Sequence, residues 1–244
     1  MIIKIKNFIK TIIFLNQIRT KYYFILLYIY FKFKRILFKF FFRNIFLKNQ
    51  NIIEKYYEKK KFKYGNFFFL NSLNIHQILK NYNLIENQKY LEIGSFEGSS
   101  VVYFSKVLKN SSFCCVDIWT GVEELSNIDF REVERSFLNN ISDISKDNIS
   151  ICKQTSREFF KKNLNKFSII YIDGNHSYDE VLNDLNECFK ILVKGGIIIL
   201  DDYIWSWYKD PKKNPGYAIN IFLKNNFNKI KVLSMTEQVI IKKL

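Results

Sequence analysis

Five short runs decide what this chain can fold into. They are 89–94 (KYLEIG), 112–119 (SFCCVDIW), 149–154 (ISICKQ), 168–174 (SIIYIDG) and 195–202 (GGIIILDD). Each is apolar over most of its length, without the in–out alternation of a half-solvated strand. Between them lie stretches of helical pattern: 71–83, a segment from about Ser99, 132–142, 156–164 with Ser156 as a cap, and 179–192. Apolar strands alternating with helices predict a parallel sheet covered on both faces. Two further runs, 228–234 and 237–244, are joined by a short turn and predict an antiparallel hairpin at the sheet's edge. The expected class is α/β, a Rossmann-like doubly wound sheet, mostly parallel, with a C-terminal antiparallel hairpin.

The strand ends carry the chemistry. After the first come Gly94, Ser95, Phe96, Glu97 and Gly98, and then Ser99 opens a helix. After the second comes Asp117, after the fourth Asp173, and after the fifth Asp201 and Asp202. Open α/β sheets bind ligands outside these strand ends. A single acid there reads equally well as a helix cap. Several on one edge repel one another and need a cation or hydrogen-bond donors. The two glycines let backbone approach a ligand, and the helix start offers free N–H groups. The spacing is Gly-x-x-x-Gly rather than GxGxxG, which disfavours a nicotinamide dinucleotide. Asp117 follows Gly94 at the end of the next strand, where an acid can accept ribose hydroxyls.

Charge divides the chain. Residues 1–65 hold 16 Lys and Arg against two acids, Glu54 and Glu58, whereas residues 66–244 hold 22 against 21. The basic character therefore belongs to an N-terminal arm, and the near-neutral remainder argues against a nucleic-acid-binding domain. The longest uncharged run in the arm, residues 22–31, is half of what a spanning helix needs. A window over 12–31 would have to bury Arg19 and Lys21, at about 2.5–3.5 kcal/mol each at mid-membrane, so spanning is not favoured. Lys32, Arg35, Lys39 and Arg43 recur at helical spacing, with Phe33, Ile36, Leu37, Phe40 and Phe41 around them. Such a helix suits the headgroup layer of an anionic membrane; packing against the rest of the fold or a second subunit is the alternative. The run at 58–63 reads as a solvated linker, with the folded domain beginning near Asn66. Either membrane arrangement leaves the domain facing the cytoplasm, peripheral on the inner face. Cys114, Cys115, Cys152 and Cys188 form no CxxC pair, so free thiols in a reducing compartment are expected rather than a zinc site.

The segments YLEIGSFEGSS, CVDIW, IIYIDGNHSYDEVLNDL, LVKGGIIILDDY and PGYAINIFL together resemble the class I S-adenosylmethionine-dependent methyltransferases over roughly residues 70–244. Within that class they resemble the bacterial macrocin O-methyltransferase-like group and the cation-dependent catechol and caffeoyl-CoA O-methyltransferases. The resemblance implies that Glu92, Gly94, Ser95, Phe96, Gly98 and Ser99 cradle the methionine part of S-adenosylmethionine. It implies Asp117 at the ribose, and Gln154, Thr155 and Ser156 near the adenine. It also implies that Asp173, Asp201 and Asp202 hold Mg²⁺, as hard oxygen ligands do.

Related bacterial sequences carry Asp-Gly-Asp-His where this one has Asn175. That leaves His176 as the better general-base candidate beside Asp173; capping the next helix or orienting Asp173 are its structural alternatives. His76 reads as structural. Trp205, Trp207 and Tyr208 read as a substrate lid or, alternatively, as a dimer contact of a homo-oligomer. The activity expected is O-methylation of a small-molecule or sugar hydroxyl, on a glycan or lipid-linked intermediate. Metal-independent methylation with His176 as base, and a non-catalytic membrane-tethered binding module, are its rivals.

Overall fold

The computed structural model describes residues 43–121, 125–205 and 207–244. The chain runs α1 (Arg43–Tyr57), α2 (Phe69–Asn81), β1 (Lys89–Ile93), α3 (Ser99–Val107), β2 (Ser112–Asp117), α4 (Phe130–Asn140), β3 (Ile149–Lys153) and α5 (Ser156–Lys162). It continues through β4 (Phe167–Ile172), α6 (Tyr178–Ile191), β5 (Leu192–Leu200), α7 (Pro215–Asn225), β6 (Ile230–Met235) and β7 (Val239–Lys243). The seven strands form one sheet in the order β3-β2-β1-β4-β5-β7-β6. All neighbours from β3 to β5 are parallel, and β7 runs antiparallel to both β5 and β6. The expected doubly wound sheet and hairpin are therefore present, with the hairpin's second strand inside and its first at the edge.

Apolar side chains leave both faces of the strands. Tyr90, Phe113, Ile169, Tyr171, Ile197 and Ile199 pack under Ile53 of α1, Ile75 and Leu79 of α2, and Tyr103 and Phe104 of α3. Leu91, Ile93, Ile170, Ile198 and Ile241 pack on the opposite face against Phe159, Leu185 and Phe222 of α5, α6 and α7. Helix α4 adds Val133 and Phe137 against Trp119 and Val101.

Three local expectations change. The cap of α5 is Thr155, not Ser156: Thr155 and Glu158 form a reciprocal capping box, which puts Ser156 inside the first turn. Helix α7 begins at Pro215, a residue suited to a first helical turn, and was not among the expected helices. The 58–63 run is not a free linker. The Lys61 N–H donates to Asn140 Oδ1 at 3.0 Å, Lys60 Nζ reaches the Asn140 carbonyl at 2.6 Å, and Tyr57 Oη donates to the Ser99 carbonyl at 3.0 Å. Ile53 is fully buried. The folded unit thus includes α1, upstream of Asn66. The basic stripe at Lys32, Arg35 and Lys39 and the 12–31 window lie outside the described residues. Among the described residues no helix is long and apolar enough to cross a membrane. The four cysteines are free, with Cys114 and Cys152 sulfurs 3.9 Å apart on neighbouring strands.

Ile53→Ala should therefore destabilise the whole domain by about 2–5 kcal/mol, as for other buried Ile→Ala changes. Urea unfolding followed by circular dichroism reads this directly. An unchanged midpoint would mean that α1 docks outside the cooperative unit.

Candidate active site

The site grows from how tightly the strand ends meet. Gly94, just beyond β1, has φ +85°. A Cβ on it would lie 2.0 Å from the Asp173 carbonyl oxygen, so no other residue fits without moving the chain after β4. The Gly94 N–H donates to the Val116 carbonyl, and the Asp173 N–H to that of Ile93, both at 2.9 Å. The glycine loop and the Asp173 turn are thus locked backbone to backbone. Phe96 and Asp202 also hold left-handed backbone, at φ +45° and +56°, a strained conformation that concentrates at functional sites.

Asp117 supports the loop from beneath. Its Oδ2 accepts from the Ser95 and Phe96 N–H groups at 2.9 Å, and its Oδ1 from Trp119 at 2.8 Å. Burial raises its pKa against the opposing pull of those donors. Glu92, fully buried one strand away, bonds Ser100. Desolvation pushes its pKa up to about 8, so it carries its proton at neutral pH.

Sequence reasoning missed Glu97. Its buried carboxylate accepts from the N–H groups of Lys63 and Tyr64, at 2.7 and 3.0 Å. Asn140 holds the same strap through the Lys61 carbonyl and ties it to the Glu97 carbonyl, at 2.9 and 3.0 Å. An acid at a helix start carries no sequence signal of a partner more than thirty residues upstream.

The acids after β4 and β5 divide their work. Asp173, His176 and Asp202 each aim a ligand atom into one space, all within 4.8 Å of one another. His176 Nε2 lies 3.0 Å from Asp202 Oδ2 and 4.0 Å from Asp173 Oδ1. Asp201 turns inward instead. It accepts from Tyr171 Oη, from Gln238 Nε2 at 2.9 Å and, through Oδ1, from the Asp202 N–H at 2.9 Å. Of the expected trio, Asp173 and Asp202 share this space with His176, whereas the Asp201 carboxylate is engaged by Tyr171 and Gln238. Burial raises the pKa of Asp173 well above the carboxylate range, with the neighbouring Asp201 charge adding to it and His176 opposing. Burial and the Asp202 charge push Asp201 up to about 6. His176 neither caps α6, whose N-cap is Ser177, nor stands alone, since its ring lies 4.9 Å from that of Trp205. Asn175 Oδ1 accepts from the Ser177 N–H at 2.8 Å and fixes the turn. His76 meets Tyr103 Oη in the core, as a structural histidine does.

A cavity of about 980 Å³ joins these parts. Gly94, Ser95, Phe96 and Ser99 line one side; Asp173, His176, Asp201 and Asp202 line the floor; Trp205, Trp207 and Tyr208 form a further wall. Tyr64, Gly65, Phe67 and Phe68 of the strap complete it. Of the other expected cofactor residues, Glu92, Gly98 and Asp117 sit behind the lining. Gly98 is there because a Cβ would press the Phe137 ring at 2.9 Å. The structure does not bring Gln154, Thr155 and Ser156 to the cavity: Gln154 bonds the Asp117 carbonyl at 3.1 Å, Thr155 caps α5, and Ser156 supports the Asp184 carboxyl.

This sheet order, with the glycine loop and acids at its strand ends, is that of the class I methyltransferase fold. Residues 91–203 of the chain match the family described as "Methyltransferase domain". It is 28% identical over 155 residues to an uncharacterized protein of Acanthamoeba polyphaga mimivirus, covering 60% of this chain and 67% of that one. Among solved structures, it is similar to the O-methyltransferase TomG of Streptomyces achromogenes, determined with S-adenosylmethionine (10% identity, TM-score 0.51, 70% of this chain and 78% of that one). It is likewise similar to the O-methyltransferase NovP (16% identity, TM-score 0.51, 70% and 78%). At these identities the two structures establish the fold.

Folded Glu92 keeps its proton up to about pH 8, while an unfolded glutamate releases it near 4.5. Stability should therefore fall as pH rises between those values, by up to about 1.4 kcal/mol per pH unit. Glu92→Gln should flatten that slope in urea unfolding at pH 5, 6.5 and 8. Parallel slopes for the two proteins would mean that Glu92 is ionised in the fold.

Proposed function

We propose that this methyltransferase transfers the methyl group of S-adenosylmethionine to a hydroxyl oxygen of a small molecule or sugar, at a site that holds a divalent cation. The observation that carries this reading is that the glycine loop and the Asp173–His176–Asp202 trio open into one cavity. Two carboxylates and an imidazole within ligand reach of one another suit a divalent ion such as Mg²⁺, with water completing its coordination. When bound, S-adenosylmethionine supplies an electrophilic methyl sulfonium and the cation supplies Lewis acidity toward the acceptor hydroxyl.

The chain's own residues do the rest. Gly94, Ser95, Phe96 and Ser99 line the donor side of the cavity at the start of α3, with the Ser95 and Phe96 N–H groups held by Asp117. Asp117, behind the lining, holds the glycine loop in place for the donor through the Ser95, Phe96 and Trp119 N–H groups. Asp201, fixed by Tyr171 and Gln238, holds the Asp202 peptide so that its side chain faces the cavity. With the cation bound, His176 Nε2 would be one of its ligands, and the proton would leave to solvent from a hydroxyl acidified by the cation. Locked loops that hold donor and acceptor in line contribute more here than covalent chemistry would.

The His176–Asp202 contact at 3.0 Å also supports a second reading, in which the pair acts as a base without metal. The basic arm favours an acceptor at an anionic membrane surface, and a glycan or lipid-linked intermediate is the acceptor class we propose.

Calorimetry of the full chain with S-adenosylhomocysteine, with and without Mg²⁺ or Mn²⁺, tests the site. Cofactor binding should survive EDTA, whereas a separate metal isotherm should weaken at least tenfold in Asp202→Asn and in His176→Ala. Methyl transfer to a panel of sugar and catechol hydroxyls should stop in EDTA; transfer that persists selects the metal-free pair. A folded protein that does not bind S-adenosylhomocysteine would sink the reading altogether.

A further inference from the structure

Two large aromatic side chains stand exposed at the rim of the cavity. Phe67 is 72% exposed and Trp207 is 56% exposed, and both line the cavity from separate segments. Neither belongs to a loose loop. Phe67 sits between Phe68, which is buried in the core, and the Lys63–Tyr64 backbone clasped by Glu97. Trp207 precedes a turn tied by buried Asn214, whose side chain accepts from the Tyr208 N–H at 3.0 Å and donates to the Tyr208 carbonyl at 2.9 Å. The fold therefore holds two large aromatic side chains out into solvent at the mouth of its own site.

Cations stand next to them. Lys209 lines the mouth, and Lys212 and Lys213 follow it on the surface. None of the three forms an ion pair with a described residue. Asp210, among them, is turned into its own loop, where it accepts from the Lys212 N–H at 3.0 Å. The strap that carries Phe67 continues upstream through α1 into residues 1–42, which hold nine Lys and Arg, no acid, and the uncharged run at 22–31. Aromatic rings beside lysines suit the boundary between headgroups and acyl chains. A basic rim also repels a second copy of itself.

We infer that the cavity mouth is a membrane-docking surface. Phe67 and Trp207 enter the interface of an anionic bilayer, and Lys209, Lys212 and Lys213 pair with lipid phosphates. The acceptor then reaches Asp173, His176 and Asp202 from the membrane side, which makes it a lipid-anchored hydroxyl compound rather than a freely diffusing one. The acceptor statement rests on the methyltransferase reading; the docking statement does not.

The test uses the full chain with vesicles of phosphatidylglycerol and phosphatidylcholine whose acyl chains are brominated near the headgroup. Of the three tryptophans, Trp119 is buried and Trp205 is half-buried in the cavity wall; subtracting the Trp207→Phe signal from wild type removes both and isolates Trp207. That signal should be quenched on phosphatidylglycerol-containing vesicles and not on pure phosphatidylcholine. Phe67→Ser with Trp207→Ser, and separately the triple change of Lys209, Lys212 and Lys213 to Glu, should each lower vesicle partitioning at least tenfold. Binding with Trp207 unquenched would show that the arm docks while the mouth points away, and would overturn the inference. So would absence of binding to anionic vesicles, or concentration-dependent self-association that shields Trp207 without lipid. Calorimetry of wild type with S-adenosylhomocysteine, done without vesicles, fails only if the methyltransferase reading fails.

Discussion

Ending buried strands in carboxylates is costly, and most of this structure can be understood as meeting that cost. Burial is the largest cause raising the pKa of Glu92, Asp117, Asp173 and Asp201. Each is answered differently. Glu92 stays protonated beside Ser100. Asp117 gathers three backbone N–H groups and thereby shapes the glycine loop. Asp201 is satisfied by Tyr171, Gln238 and the next peptide. Asp173 has the least complete answer, a histidine at 4.0 Å and a tyrosine at 3.3 Å. It is also the acid most exposed to the cavity's chemistry, which is where a cation or a proton would be most strongly drawn.

The strand pattern made the sheet legible. Runs such as 168–172, apolar on both faces and alternating with helices, are typical of a parallel sheet, and the antiparallel pair shows in the short turn between two strands. The strand-end acids were legible as a group because register places the ends of parallel strands on one edge. Their division of labour was not. Asp201 and Asp202 are neighbours of the same type, and what separates them is Gln238, brought in by a strand more than thirty residues away. The placement of Thr155 and Ser156 depended on a single position in a cap, where Ser and Thr are near-equivalent. The strap was misread for a plainer reason. A run of lysines looks solvated, yet Lys60 and Lys61 are held largely through hydrogen bonds to Asn140, which the sequence does not advertise.

The two ends of the site differ in how they are built. The floor is backbone against backbone at Gly94 and Asp173, with strained residues at Phe96 and Asp202 that only a rigid surround can hold. The walls are side chains on the strap and on the segment after β5. Nothing in the floor's geometry refers to the size or polarity of an acceptor. On the proposed reading, the walls, with Tyr64, Phe68, Trp205 and Tyr208, would set those properties.

The contact at Gly94 therefore has an evolutionary meaning. Donor and acceptor loops that share a backbone interface cannot drift independently, so the angle of methyl attack is inherited as a unit. The strap and the Trp207 turn lie outside that unit. Exchanging either would give a new clientele to an unchanged reaction centre, and substrate range in such a fold can diverge far faster than its chemistry.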